Sequence, residues 1–141
     1  MLFHIDIHSP IPAYEQIISQ VIFSIASGSL EVGMLLPGIR ELGPRILLHP
    51  NTVAKAYQEL ERMGVIVSRR GKGMEVTPEA PGICKGRRQE IVRKRIRDAL
   101  HEAVTSALPA EEIRDLVEQE LTYVNGQRRK ESFKESIREK R

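Results

Sequence analysis

The sequence has little of what secreted and membrane-spanning proteins need. It contains one cysteine, Cys84, in 141 residues, so an intramolecular disulfide is impossible and a reducing, cytoplasmic setting is expected. Its most apolar stretch, residues 21–26, is far shorter than the roughly 20 residues that cross a bilayer. No secretory signal is expected at the start. These absences argue against a disulfide-stabilised, secreted or membrane-inserted protein.

Residue patterns typical of enzymes are also missing. The histidines His4, His8, His49 and His101 lack the spacing to carboxylates or to Cys84 that metal sites need. No glycine-rich loop that would hold a phosphate precedes a predicted helix. A lone cysteine in a proline- and glycine-rich stretch is usually an inert thiol. We therefore predict no catalytic residue, no metal and no cofactor.

The composition is that of a small globular protein with segregated charge. Hydrophobic residues make up 40 % of the chain, which is enough for one modest domain or two small ones, and the formal net charge is +3. Residues 85–97 contain seven Lys or Arg against Glu90, whereas residues 98–123 contain seven acids against Arg114. Such segregation favours a polyanionic partner at particular faces, or it marks solvated helix faces.

Helical periodicity dominates the first part of the chain. Residues 3–7 alternate and predict a short strand, and apolar residues spaced i, i+3, i+4 and i+7 then predict a helix over residues 12–28. A second, short helix should cover residues 39–46. Pro50 marks the start of a third helix, with His49 at its cap position, because the fixed φ of proline suits a first helical turn. The connection over residues 30–37 is read as a loop.

The period changes from helical to extended after the third helix. Residues 65–69 are short and β-branched, Arg70-Gly71-Lys72-Gly73 supplies turn glycines, and residues 74–77 extend again. Three helices followed by a hairpin predict a winged helix-turn-helix over residues 1–77. The third helix is then the reading helix, and the glycine-rich tip is the wing.

The rest of the chain predicts a linker, a second domain and a tail. Prolines and glycines over residues 78–86 predict the linker, and two amphipathic helices are expected over residues 87–125. Two helices alone bury little apolar surface, so they are interpreted as a dimerisation domain. Its apolar positions are Ile96, Leu100, Val104, Leu116, Val117 and Leu121. Residues 126–141 predict a charged tail that is frayed or disordered. The fold class is therefore mainly α with a small β-hairpin wing.

Several polar residues of the predicted winged helix suit a DNA partner. DNA binding requires cations for phosphates and short polar side chains in the first turn of a helix that reaches base edges. The candidate DNA-binding residues are Arg40, His49, Asn51, Thr52, Lys55, Arg70, Gly71 and Lys72. Asn51 either reads an adenine edge or holds a phosphate, and Asn51 with Thr52 would also serve as a plain helix cap. The tip at residues 70–73 is equally compatible with an ordinary exposed hairpin.

Five ordered runs of residues 10–77 resemble the DNA-binding domain of GntR-family transcription regulators. They are PAYEQI (12–17), SGSL (27–30), LPGIREL (36–42), PNTVAKAYQEL (50–60) and GKG (71–73). The short two-helix remainder is similar to that of the YtrA subfamily. The resemblance implies a dimeric repressor, often tied to a transporter operon. It also implies DNA contacts at Arg40, Asn51, Thr52, Arg70 and Gly71, with His49 and Lys55 nearby.

Three departures from the family pattern affect local structure. Gly38 stands where the family usually has a serine that caps the second helix, although glycine is tolerated there. Gly43 and Pro44 replace an alanine-rich stretch, and an interior proline costs about 3 kcal/mol through a lost hydrogen bond and a clash. The second helix is therefore expected to kink or end early. Met74 and Glu75 replace a small polar and an aromatic residue, so the wing should pack differently.

The sequence thus predicts a cytoplasmic, homodimeric DNA-binding regulator, a repressor that binds double-stranded DNA at a two-fold operator. Nothing in residues 87–124 outlines a cavity for a small-molecule effector. The alternative is a non-enzymatic protein-interaction or membrane-surface module that uses the basic helix at residues 85–97. Salt-sensitive binding to duplex DNA separates the two, because an interaction module need not show it.

Overall fold

The computed structural model describes residues 3–140. The chain divides into two compact units, with the division between Arg93 and Lys94. The first unit contains three helices, a β-hairpin and the first part of a long fourth helix, and the second contains the rest of that helix and a fifth helix. None of the described helices is long and apolar enough to cross a membrane.

Three helices build the first unit. They are α1 (Ala13–Ser27), α2 (Ile39–Arg45) and α3 (Pro50–Arg62), in agreement with the predicted periodicity. α1 and α2 both pack against α3, which therefore lies at the centre of the unit. The core contains side chains that are at most 1 % exposed: Ile17, Val21, Ile22, Val53, Ala56, Leu60, Val65, Ile66 and Val76.

Two backbone hydrogen bonds close the turn between α2 and α3. α2 runs through Pro44 and ends at Arg45, one residue before the end predicted from the apolar spacing, so the early end expected from the proline is not observed. The Leu48 N–H then donates to the Gly43 carbonyl at 2.9 Å and the Leu47 N–H to the Pro44 carbonyl at 3.4 Å. This is the Schellman pattern of helix termination, in which one residue takes a left-handed conformation. Leu47 occupies that position with φ of 55°.

Gly43 permits the close approach of that turn. A Cβ atom at Gly43 would meet the Leu48 carbonyl oxygen at 3.0 Å, and Pro50 would follow at 3.8 Å. The neighbour is backbone of the turn just before α3, so it has little freedom to move away. The departure from an alanine-rich family pattern at this position therefore has a steric reason.

Leu47→Gly is expected to stabilise the first unit by about 1 kcal/mol, because a left-handed backbone costs an L-residue roughly 1–2 kcal/mol and glycine almost nothing. The side chain of Leu47 is 91 % exposed, so its removal loses no core packing. Thermal unfolding should show a melting temperature several degrees higher. Leu47→Ala is the control, since it removes the side chain but keeps the strain. If Leu47→Ala stabilised as much as glycine, the left-handed conformation would not be the cause.

The wing is an antiparallel hairpin with a third, shorter segment beside it. β1 (Ile66–Arg69) pairs with β2 (Gly73–Val76), with Arg69 opposite Gly73. On the other edge of β2, the Leu36 N–H donates to the Met74 carbonyl, and Leu35 forms a bridge with Glu75. The predicted loop over residues 30–37 thus contributes an extended edge to the sheet. This tertiary pairing has no local sequence signal.

The strand predicted for residues 3–7 is wrong. The backbone of this segment is bonded instead by two glutamine side chains from α1. Gln16 accepts from the Asp6 N–H at 2.8 Å and donates to the Asp6 carbonyl at 2.9 Å. Gln20 makes the same pair of contacts with His4. A primary amide presents one acceptor and one donor side by side, so it replaces the neighbouring strand that the alternation suggested.

The linker predicted over residues 78–86 is also wrong, because most of it is helical. α4 runs from Ala80 to Thr105. Pro81 lies in its first turn, where the missing N–H costs no intrahelical bond. Ala80 and Cys84, four residues apart on one face, are completely buried in the core of the first unit. This burial outweighs the poor helix propensity of the glycines.

The frayed or disordered tail predicted over residues 126–141 is helical as far as Glu139. α5 runs from Ala110 to Glu139 as one continuous helix. Opposite charges recur at helical spacing here, as in Glu131 with Lys134 and Glu135 with Arg138, and such pairs favour a helix. The boundary predicted at residue 125 is therefore not a boundary of secondary structure.

The helices of the second unit leave their apolar stripes uncovered. Within residues 94–140, α4 and α5 make few contacts with each other. Ile113, near the turn that joins them, is buried. The six apolar positions of the predicted dimerisation domain are 37–64 % exposed: Ile96, Leu100, Val104, Leu116, Val117 and Leu121. An exposed stripe of this kind is typical of an interaction surface.

Candidate nucleic-acid interface

The start of α3 is fixed by its own cap. Pro50 is the first helical residue, and the His49 side chain caps the helix by accepting the Asn51 N–H at its Nδ1 atom, 3.1 Å away. This bond satisfies one of the N–H groups that a helix start leaves without an intrahelical partner. Capping by Asn51 or Thr52, the alternative that the sequence left open, is thus replaced by His49. The Asn51 side chain is exposed, and Thr52 is half-buried.

Lys55 lies one turn further along α3, over an aromatic ring of α1. Its Nζ atom is 4.6 Å from the centroid of the Tyr14 ring. The ring and the ammonium border a groove between the starts of the two helices. The groove is lined by Pro12, Ala13, Tyr14, Asn51, Thr52 and Lys55, and it has a volume of about 380 Å³. The structure therefore brings Asn51, Thr52 and Lys55 together.

Arg40 is exposed on α2, the helix that precedes the turn. The Tyr57 hydroxyl of α3 donates to the Pro37 carbonyl at 2.7 Å and so anchors the chain just before α2. Burial raises the pKa of the Tyr57 hydroxyl above its usual value, and the charge of Glu41 adds to this effect. The hydroxyl therefore stays protonated and remains a donor. The missing serine at Gly38 leaves α2 without a side-chain cap.

Arg70, Gly71 and Lys72 form the exposed tip of the hairpin. The Lys72 N–H donates to the Arg69 carbonyl at 2.9 Å, which closes the turn, and Gly71 takes φ of 78°. Such a turn requires a residue that tolerates positive φ, hence glycine. Arg69 itself is turned back onto the hairpin, where its Nε is 2.6 Å from a carboxylate oxygen of Glu75. The charged Glu75 thus makes an ion pair where the family pattern usually has an aromatic residue.

The predicted residues fall into two groups. The groove group is Asn51, Thr52 and Lys55 in the first turns of α3, while His49 at the helix cap and Arg40 on the adjacent helix α2 are not among the residues that line the groove. The tip group lies on the hairpin, which is joined to the rest of the unit by contacts of β1 with α3 and by the pairing of residues 33–36 with β2. Sequence reasoning missed Tyr14 as a member of the first group. Its position in the apolar spacing of α1 marked it only as a core residue.

Neither a metal-ligand cluster nor a reactive thiol is found among residues 3–140. Within residues 3–140, no three His, Cys, Asp or Glu side chains are grouped closely enough to hold a metal ion. Cys84 is completely buried, and burial raises the pKa of its thiol to about 11. A thiol in this state is a poor nucleophile, because the thiolate is the reactive form.

Comparison with known proteins shows the family to which the chain belongs. The model of bacterial regulatory proteins of the gntR family matches residues 13–76, which contain α1 to α3 and the hairpin. The HTH-type transcriptional repressor YtrA of Bacillus subtilis (strain 168) is 31 % identical over 125 residues, which cover 89 % of this chain and 96 % of that protein. The chain belongs to the GntR family.

Solved structures of similar regulators extend the match beyond the winged helix of the GntR family. A transcriptional antiterminator from Listeria monocytogenes EGD-e is 33 % identical, with a TM-score of 0.62 over 84 % of this chain and 89 % of that one. YtrA from Sulfolobus acidocaldarius, a GntR-family transcription factor, is 30 % identical, with a TM-score of 0.51 over 86 % and 98 %. The YtrA-like resemblance, the winged helix-turn-helix and the C-terminal helical region are confirmed. This GntR-family protein is a DNA-binding transcriptional regulator and not an enzyme.

Proposed function

We propose that the protein is a homodimeric repressor that binds a two-fold operator, with one α3 helix of each subunit in the major groove. The observation that carries this proposal is the capped first turn of α3, where Asn51 is exposed and Lys55 borders the same groove. Helix-turn-helix proteins read bases with the first residues of their recognition helix. In this arrangement Asn51 and Thr52 face base edges. Lys55, His49 and Arg40 contact the phosphates of the nearby DNA backbone.

The hairpin tip adds a second contact in this proposal. Arg70 and Lys72 are exposed beside Gly71, which keeps the tip thin. A thin basic tip fits the minor groove, where the negative potential attracts arginine. Arg69 is less suited to this contact, because its ion pair with Glu75 partly satisfies its charge.

The uncovered stripes of α4 and α5 support the homodimer. Their apolar side chains face solvent in the single chain, and a second copy is the economical way to cover them. A two-fold pair would place two recognition helices about 34–36 Å apart along the DNA. A repressor is the regulatory role that we propose by analogy with the YtrA protein of Bacillus subtilis, which is named a transcriptional repressor. An operon such as one that encodes a transporter is the target that the resemblance to the YtrA subfamily implies. The interaction or membrane-surface module at residues 85–97 is not favoured.

Selection of bound sites from random duplex DNA tests the proposal directly. We expect an enriched sequence with two-fold symmetry and half-sites separated by one helical turn or a multiple of it. Enrichment of a single asymmetric half-site would contradict the homodimer at the operator. Absence of any enriched sequence would contradict sequence-specific binding.

Arg70→Ala should weaken binding to all duplexes alike and flatten the salt dependence by about one phosphate contact, because the tip faces backbone or minor groove. Titrations of operator and random DNA at several salt concentrations measure both quantities. Arg69→Ala is the matched control on the same hairpin, and we expect a smaller change in salt slope from it. An unchanged slope in Arg70→Ala would remove the wing from the interface.

A further inference from the structure

Lys55 contacts an aromatic ring, whereas several other cations of the first unit contact a carboxylate. Arg45, Arg62 and Arg69 each make an ion pair with a glutamate of the same helix or hairpin. The Lys55 ammonium instead lies 4.6 Å from the centre of the Tyr14 ring, within the roughly 6 Å range of a cation–π contact. A carboxylate cancels the charge that it binds, whereas an aromatic ring is neutral. Lys55 is therefore held in place with its full positive charge available.

The position in which Lys55 is held is also specific. Tyr14 projects from the first turns of α1, and its ring and Lys55 border the groove that Asn51 and Thr52 also line. Lysine has a large rotamer entropy, much of which is lost when the side chain is fixed. A ring that already holds the ammonium in the free protein reduces the entropy that is lost on binding. The contact joins α1 to α3, so it is not a consequence of neighbouring positions on one helix.

We propose that Tyr14 is a positioning residue of the DNA interface: its ring holds the Lys55 ammonium beside Asn51 and Thr52, ready for a DNA phosphate. This inference rests on the proposed function, because it requires Lys55 to contact the DNA backbone. It adds to that proposal a residue of α1 that does not itself need to touch a base. The ligand is the phosphodiester backbone, so the effect should be independent of sequence.

The test compares Tyr14→Leu with Tyr14→Phe in the full chain. Leucine removes the π face, and we expect about a 2- to 5-fold loss of affinity for operator and random duplexes alike, because Lys55 then loses more of its rotamer entropy on binding. Tyr14→Phe keeps the π face, so the affinity of this variant for DNA should be nearly that of the unaltered protein. The ring-current shift of the Lys55 Hε protons, measured by NMR in the free protein, should be present with Phe and absent with Leu. Loss of affinity in both variants would overturn the proposal.

Lys55→Gln completes a double-mutant cycle that separates positioning from packing. Once Lys55 is removed, Tyr14→Leu should cause no further loss of affinity, because the ring acts only through the ammonium. An equal loss in both backgrounds would overturn the inference and assign Tyr14 to the packing of α1. This comparison remains valid if Tyr14→Leu lowers the melting temperature, since the cycle uses a difference. If Lys55→Gln alone leaves affinity and salt slope unchanged, then Lys55 is not in the interface and the proposed function loses that contact.

Discussion

The double variant Ile96→Lys/Leu121→Lys is expected to be monomeric and to bind a two-fold operator 10² to 10⁴ times more weakly than the unaltered protein. Ile96 is 54 % exposed on α4 and Leu121 is 53 % exposed on α5, so neither substitution disturbs the core of the single chain. In the proposed dimer both side chains are covered, and burying two lysine charges there without partners is strongly unfavourable. The affinity falls because the second half-site loses its effective concentration.

Two measurements distinguish this effect from a general loss of function. Sedimentation equilibrium should give one chain for the variant and two for the unaltered protein at micromolar concentration. Binding to an isolated half-site should be equal for both, because the winged helix is unchanged. Gln119→Lys is the control for added charge, since it places a lysine on α5 outside the apolar stripe. A double variant that stays dimeric would show that these stripes do not form the interface.

Asn51→Ala is expected to erase the preference for one base at a single operator position, a loss of about 1–3 kcal/mol of discrimination if the amide makes a bidentate contact. The helix start should survive the substitution, because the cap bond uses the Asn51 backbone N–H and the His49 side chain. The change therefore removes a side chain from the surface and leaves the recognition helix in place.

Titration of the operator and of operators altered at one base pair measures this effect. Lys55→Gln is the matched variant on the same helix, and it should weaken all duplexes by a similar factor, since a phosphate contact carries no sequence information. If Asn51→Ala also weakened operator and random DNA equally, Asn51 would position the helix and not read a base.

The predictable parts of the fold are those whose signals are local. α1 and α3 follow from apolar spacing and from Pro50, and the hairpin follows from β-branched runs around turn glycines. The predictions for residues 3–7 and for the linker over residues 78–86 failed because contacts with distant parts of the chain determine the structure of these segments. Gln16 bonds the backbone of residue 6, and the core buries Ala80 and Cys84, so neither outcome depends on the local pattern.

The candidate site also has parts that local sequence signals predicted and one part that they did not. A proline start predicted the cap at His49, and a glycine tip predicted the exposed Arg70 and Lys72. The contact of Lys55 with Tyr14 joins positions 41 residues apart along the chain and depends on how α1 crosses α3. Spacing within one helix contains no information about that crossing. The sequence therefore predicted which cation is exposed but not which ring holds it.

The burial of Cys84 makes the chain convenient for site-specific labelling. Its side chain is completely buried, and its thiol pKa is raised to about 11, so alkylating dyes and cross-linkers meet almost no thiolate near neutral pH. A cysteine introduced at an exposed position would react alone, without prior removal of the native one. Fluorophores or spin labels beside the stripes of α4 and α5, at positions such as Gln119, would then report distances between the subunits of the proposed dimer. Reaction of Cys84 itself would report that the start of α4 has left the core.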